Sequence, residues 1–219
     1  MKIELGGIDL YYEKQGSGPP MLLLHGNGED HHIFDELGRR LAASFTVYAL
    51  DSRNHGRSQK TNDYAYQSMA ADVLAFIQAL DLGKANLVGF SDGAIIALLL
   101  AINNAQVVNK MALLGVNLKP SDFTDESLDW LKKAYAESGD PLLLLMLEEP
   151  QIELADVRRV TAPTLLVAAE NDIFKPETFT ELQRALPDAR LKIMPGHDHD
   201  SYIVHQDILY PDLVRFFIE

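Results

Sequence analysis

The segment Gly89-Phe90-Ser91-Asp92-Gly93 constrains the fold more than any other part of this chain. Before it, Lys84-Ala85-Asn86-Leu87-Val88 is a short apolar run of the kind that makes a buried strand. After it, residues 94–101 are too long and too rich in Ala and Leu for another strand, so they read as a buried helix. A serine at such a junction sits in a tight bend with its hydroxyl at the end of the sheet, and small neighbours let the two backbones approach. The helix behind it offers free N–H groups and a partial positive charge to a developing anion. The pentapeptide also fits a plain turn serine that caps a helix, because Ser and Asp are good capping residues.

Patterning along the rest of the chain bears on that choice. Residues 3–5 and 8–13 flank Gly6-Gly7 and read as a hairpin. Met21-Leu22-Leu23-Leu24 is an apolar strand running into His25-Gly26-Asn27-Gly28. Residues 33–43 have helical spacing, and residues 45–50 form a strand that ends at Asp51-Ser52-Arg53-Asn54-His55-Gly56-Arg57-Ser58. Met69, Val73, Phe76, Ile77 and Leu80 share one helix face, with Gly83 as the stop. Residues 108–114 and 163–169 read as strands, 176–186 as a helix, 190–194 as a strand and 201–219 as a mostly helical end. Strands alternating with helices predict an α/β fold, a mainly parallel sheet covered on both faces. The polar motifs all fall at carboxyl ends of strands, where such sheets place their working residues. That favours a working site over a cap.

These residues resemble the α/β-hydrolase fold family over almost the whole chain. The resemblance rests on His25-Gly26 after the third strand, Asp51-x-Arg53-x-x-Gly56-x-Ser58 after the fourth and Gly89-x-Ser91-x-Gly93 after the fifth. It also rests on Ala162-Pro163-Thr164-Leu165, Glu170-Asn171-Asp172 and Pro195-Gly196-x-x-His199. Triads of this family run serine, acid, histidine, an order that Ser91, Asp172 and His199 obey. The resemblance implies that Ser91 is a nucleophile, His199 its base and Asp172 the group that orients the imidazole. It further implies an oxyanion hole made by the backbone N–H groups of Asn27 and Asp92. Glu170 is the rival acid and His197 the rival base, while His205 is expected inside the terminal helix. His25 is expected to brace the oxyanion loop, and Asp51, Arg53 and His55 to stabilise the loop after the fourth strand. His31 and His32 either flank the pocket or face water. Asn54 stands where the family usually has glycine, a departure that a left-handed turn tolerates. The Asp92 carboxylate either caps the helix or favours an amine-bearing substrate.

The implied activity is metal-independent hydrolysis of a small-molecule ester or thioester through an acyl-enzyme, with no cofactor. Residues 117–160 are expected to form a short cap of two or three helices within a single domain of residues 1–219. Leu128, Trp130, Leu131 and Tyr135 would lie on one of these helices and residues 142–147 on another. A cap this short points to small acyl or alcohol groups, or else to a site left wide open. A small-molecule receptor on the same fold is one alternative. Another is a metal-dependent hydrolase, because His197-Asp198-His199-Asp200 also resembles the His-x-His-x-Asp opening of metallo-β-lactamase-like enzymes. That family continues with a histidine where this chain has Ser201.

Composition narrows the classes further. The formal charge of −13 opposes nucleic acid and anionic membranes as partners and says little about the small-molecule substrate that the resemblance implies, which feels the local site and not the total. Apolar residues at 47 % fit a globular core, and no run is long enough for a membrane span. With no cysteine and no basic-then-apolar leader at the N-terminus, the expected location is the cytoplasm.

Overall fold

The computed structural model describes residues 1–218; Glu219, the last residue of the expected helical end, lies outside them. Eight strands form one sheet: β1 (Lys2–Glu4), β2 (Asp9–Gln15), β3 (Pro20–Leu24), β4 (Thr46–Leu50), β5 (Ala85–Phe90), β6 (Val108–Leu114), β7 (Thr164–Asn171) and β8 (Ala189–Asp198). Their spatial order is β1-β2-β4-β3-β5-β6-β7-β8, with β1–β2 and β2–β4 antiparallel and every other pair parallel. Side chains alternate across this sheet. Met21, Leu23, Val88, Phe90, Ala112 and Leu114 enter one core with α1 (Asp35–Leu41) and α8 (Tyr210–Ile218). Leu22, Leu24, Leu87, Met111 and Leu113 enter the other, against α2 (Tyr66–Ala79), α3 (Asp92–Asn103) and α7 (Pro176–Ala185). Burial on both faces is why the central strands read as continuous apolar runs.

The chain crosses from the β4 side of β3 to the β5 side, so the strand order reverses between β3 and β5. Crevices at such switch points, outside the carboxyl ends, are where open α/β sheets bind ligands. Leu24 pairs with Gly89 and Phe90 with Leu114, which brings the ends of β3, β5 and β6 level there. Among the described residues no helix is long and apolar enough to cross a membrane.

Two expectations about the C-terminal part need correction. Strand β8 runs on through Pro195 and Gly196 to Asp198, because it is an edge strand and a proline there removes no ladder hydrogen bond. The end of the chain is helical only over Tyr210–Ile218, preceded by turns. Pro211 in the first turn of α8 explains the late start, since proline is tolerated there and not in a helix interior. His205 is therefore not helical; it sits in a turn with φ +53° and its N–H donates to the Ile33 carbonyl at 2.9 Å.

Between β6 and β7 lie α4 (Asp125–Ser138), α5 (Pro141–Glu148) and α6 (Leu154–Val157). Thr124 caps α4 by accepting from the Ser127 N–H, and Gly139 closes it in the left-handed conformation. Asp140 caps α5, with Pro141 in its first turn. Leu131 of α4 and Leu145 of α5 are the only fully buried side chains these two helices contribute. Trp130 is 65 % exposed, and the half-buried Leu143 and Met146 pack against a small core of Phe123, Leu131, Ala168, Phe174 and Phe179 while also lining cavities.

Candidate active site

Strand β5 turns into α3 at Ser91, whose backbone adopts φ +52°, a conformation that costs a non-glycine residue about 1–3 kcal/mol. Its surroundings impose that bend. A Cβ on Gly93 would lie 2.0 Å from the Leu24 carbonyl oxygen, and one on Gly89 2.3 Å from that of Gly93. The Ser91 N–H donates to the Leu114 carbonyl at 2.8 Å, fixing the elbow to β6. Its side-chain oxygen is then directed at His199.

His199 Nε2 lies 3.1 Å from Ser91 Oγ, and its Nδ1 lies 2.8 Å from Asp172 Oδ1. The Asp172 side chain is 2 % exposed and also accepts from the Ala169 and Phe174 backbone N–H groups. With both oxygens engaged, the carboxylate has little freedom to turn away from the ring. The imidazole is packed against Phe90 and, edge-on, Phe174, with centroids 5.0 and 5.3 Å away. Gly115 makes room for it, since a Cβ there would approach His199 Cε1 to 2.6 Å.

The rivals go elsewhere. Glu170 accepts from the Gly196 N–H at 2.7 Å, and His197 Nδ1 lies 3.1 Å from Ser201 Oγ. The His197–Asp200 run is thus divided between different partners. Among the described residues, the one group of ligand atoms close enough for a metal ion is Asp30, His31 and His32, which excludes that run.

The loop after β3 comes beside the elbow. The backbone N–H groups of Asn27 and Asp92 have no acceptor among the described residues. The Asp92 side chain answers neither sequence expectation. Its residue is 3 % exposed, and its oxygens accept from Asn27 Nδ2 at 2.8 Å and Tyr66 Oη at 2.7 Å. It neither caps α3 nor faces the cavity, and burial raises its pKa.

His25 bridges two loops. Its Nε2 accepts from the Ser52 N–H at 3.0 Å, so its proton is on Nδ1, which donates to the Gly26 carbonyl at 2.8 Å. Asp51 accepts from the backbone N–H groups of His31 and Arg57, and Arg53 forks onto Asp72 with two contacts of 2.7 Å. His31 is buried against Asp51, at 2.7 Å, and so neither faces water nor lines the cavity; His32 is exposed beside Asp35. Asn54 takes the left-handed conformation, φ +68°.

A cavity of about 310 Å³ opens over the elbow, lined by Asn27, Glu29, Ser91, Trp130, Leu143 and His199 among others. A second, apolar cavity of about 370 Å³ adjoins it and shares Trp130, Met146 and Ile173. Glu29 is the site residue that sequence reasoning missed, because an isolated glutamate in a loop carries no pattern. Its Oε2 accepts from the Gly26 N–H at 2.8 Å, and burial pushes its carboxyl up to about 7.

Glu29 and His25 give stability opposite pH dependences. Burial lowers His25 to about 4, so between pH 6.5 and 4 the unfolded chain binds a proton that the folded one refuses. Stability from this group falls as pH drops through that window, by about 3 kcal/mol. Glu29 binds its proton more tightly when folded, so its contribution falls as pH rises from about 4.5 to 7, by a similar amount of about 3 kcal/mol. Urea unfolding across pH 4–8 is expected to show His25→Gln losing less stability than wild type on acidification. Glu29→Gln is expected to lose less on going alkaline. Parallel curves for wild type and both variants would refute the two shifts.

The α/β-hydrolase fold family model matches residues 19–149. A Mycobacterium tuberculosis protein provisionally named non-heme bromoperoxidase BpoC is 24 % identical, over 96 % of this chain and 98 % of that one. The pimeloyl-[acyl-carrier protein] methyl ester esterase of Nitrosospira multiformis is 25 % identical, over 97 % of this chain and 99 % of the esterase. Among solved structures, the enol-lactonase of Burkholderia xenovorans superposes with a TM-score of 0.84 at 20 % identity, covering 100 % of both chains.

Proposed function

Because this chain belongs to the α/β-hydrolase fold family, we propose that it is a serine hydrolase cleaving a small-molecule ester or thioester through an acyl-enzyme on Ser91. The observation that carries this reading is the chain of contacts Ser91–His199–Asp172, at 3.1 and 2.8 Å, on the wall of a cavity. A free hydroxyl is a poor nucleophile at neutral pH, and a base within hydrogen-bond reach removes that obstacle.

In the proposed reaction Ser91 Oγ bonds to the acyl carbon as its proton passes to His199 Nε2. The carbonyl oxygen becomes anionic between the N–H groups of Asn27 and Asp92, each such donor being worth about 3 kcal/mol in the transition state. Asp172 holds the Nδ1–H tautomer and stabilises the imidazolium. His199 returns the proton to the departing alcohol or thiol as its bond to carbon breaks. Water then attacks the acyl-enzyme, gives a proton to His199 and releases the acid, and Ser91 recovers its proton. The methyl ester hydrolysed by the Nitrosospira relative supports an ester substrate.

Residues 117–160 act as the cap in this reading. Their length alone points to small acyl or alcohol groups, or else to a site left wide open. The adjoining apolar cavity supports a longer chain, because Phe123, Leu131, Met146 and Ile173 line it next to the nucleophile's own cavity. Each buried methylene adds about 0.8 kcal/mol, roughly fourfold in kcat/KM. The expected result with p-nitrophenyl esters is a rise from acetyl through butyryl to octanoyl and a fall at palmitoyl. A fluorophosphonate probe is expected to label the protein once, at Ser91. Labelling at another residue would remove the proposed nucleophile, and a maximum at acetyl would remove the acyl role of the second cavity.

A further inference from the structure

Asn27 carries two groups with different partners. Its backbone N–H is one of the two proposed oxyanion donors. Its side-chain amide donates to Asp92 Oδ2 at 2.8 Å and to the Leu142 carbonyl, in the first turn of α5, at 3.1 Å. The other oxygen of Asp92 accepts from Tyr66 Oη at 2.7 Å, and the Tyr66 N–H donates to Glu149 Oε2, just past the end of α5, at 3.1 Å. Asp92 and Tyr66 are 3 % and 1 % exposed. The loop after β3, the elbow and the start of α2 meet at the Asp92 carboxylate, and α5 is tied to them at one end through Asn27 and at the other through Glu149.

We infer that the Asn27 amide and the Asp92 carboxylate form a clasp that aligns the oxyanion donors and seats α5 over the nucleophile, making both residues positioning residues through their side chains. Several observations support it. Asp92 carries both the clasped carboxylate and the second N–H donor, so a side chain held at both oxygens restrains the backbone that presents that donor. The carboxylate meets its hydrogen-bond donors away from water, where such bonds are strongest and an orphaned group is most damaging. Leu142 is followed by Leu143, which lines the nucleophile's cavity, so the same clasp that sets the oxyanion loop also sets a wall of the substrate site. Gly28, directly after Asn27, has φ +70° and nothing within 4 Å of where its Cβ would be. Side-chain packing gives Gly28 no anchor, and the Asn27 amide holds the loop to the elbow beside the hydrogen bonds that Gly26 makes with His25 and Glu29.

The inference rests on the serine-hydrolase reading, and its test separates the two. Asn27→Ala keeps the backbone N–H and removes only the clasp. It is expected to lower kcat for a p-nitrophenyl ester by about 10²-fold, as small misplacements of catalytic groups do. KM is expected to rise far less than kcat falls, because the oxyanion contact is used in the transition state while the Asn27 amide and Leu143 also line the cavity; a change confined to KM would overturn the oxyanion role. Asp92→Ala is expected to give a similar loss, and the double variant no further loss, since both changes break one unit. Losses that multiply, or an unchanged kcat in Asn27→Ala, would overturn the clasp.

Asn27→Asp guards against misfolding, because it preserves shape and sets a second carboxylate against Asp92. Repulsion is expected to suppress activity at alkaline pH. On acidification the new carboxyl can take up a proton and donate to Asp92 as the amide does, so the ratio of variant to wild-type kcat is expected to rise as pH falls. A ratio independent of pH would count against the clasp even if Asn27→Ala were impaired. If wild-type protein neither turns over esters nor takes the fluorophosphonate at Ser91, the proposed function fails, and the clasp as an oxyanion device fails with it.

Discussion

Ser91→Ala is expected to lower kcat for an activated ester by about 10⁶-fold while folding is preserved. The size of the loss follows from what the hydroxyl does in the proposed reaction. Without Oγ no acyl-enzyme forms, and His199 is left without the proton it is placed to take. The residue of activity comes from the oxyanion donors and from binding, which together leave about 10³–10⁴-fold over water. Folding survives because alanine and serine both carry a Cβ at φ +52°, so the bend is equally strained in either. The elbow is held by the Ser91 backbone bond to Leu114 and by the contacts of Gly89 and Gly93, none of which involves Oγ. Turnover within about tenfold of wild type, measured beside an unchanged circular dichroism spectrum, would show that Ser91 is a turn residue and not a nucleophile.

The sheet was legible in the sequence because buried parallel strands leave continuous apolar runs, and because motif residues cluster where those runs stop. Ser91 and its glycines are visible for a steric reason: where β3, β5 and α3 cross, a Cβ on Gly93 would lie 2.0 Å, and one on Gly89 2.3 Å, from a backbone oxygen. Asp172 and His199 came from the family resemblance, and geometry then separated them from Glu170 and His197 by placing the latter pair on Gly196 and Ser201. Long-range contacts were not legible. Asp92 next to Ser91 invites a reading as cap or substrate anchor. Its actual partners, Asn27 and Tyr66, stand 65 and 26 residues away, and no local pattern points to them. Glu29 was hidden for the same reason: its raised pKa comes from burial created by the fold. The turns at residues 201–209 were missed because Tyr202, Ile203 and Leu209 are buried there, and buried apolar residues mimic helical spacing without requiring a helix.

Asp172→Asn is expected to lower kcat by about 10⁴-fold, with the protein otherwise intact. The asparagine has the same shape, and its single carbonyl oxygen can replace only one of the carboxylate's two acceptors. Asp172 Oδ1 faces His199 Nδ1, while Oδ2 holds the Ala169 N–H at 3.0 Å. If the amide oxygen stays on Ala169, its NH₂ meets the imidazole, and His199 must present a lone pair at Nδ1 and carry its proton on Nε2. In that tautomer Nε2 cannot accept from Ser91, so the base is switched off by one misplaced hydrogen. If the amide turns the other way, Ala169 loses its acceptor and the carboxylate's charge is still missing when the imidazolium forms. Either outcome removes ground-state or transition-state support from the same proton transfer. Glu170→Gln and His197→Ala, whose side chains reach Gly196 and Ser201 instead, are expected to keep turnover near the wild-type value. Equal losses at Asp172 and Glu170 would mean that the acid has been placed two residues too far along the chain. A loss at His197 larger than at His199 would move the base in the same way.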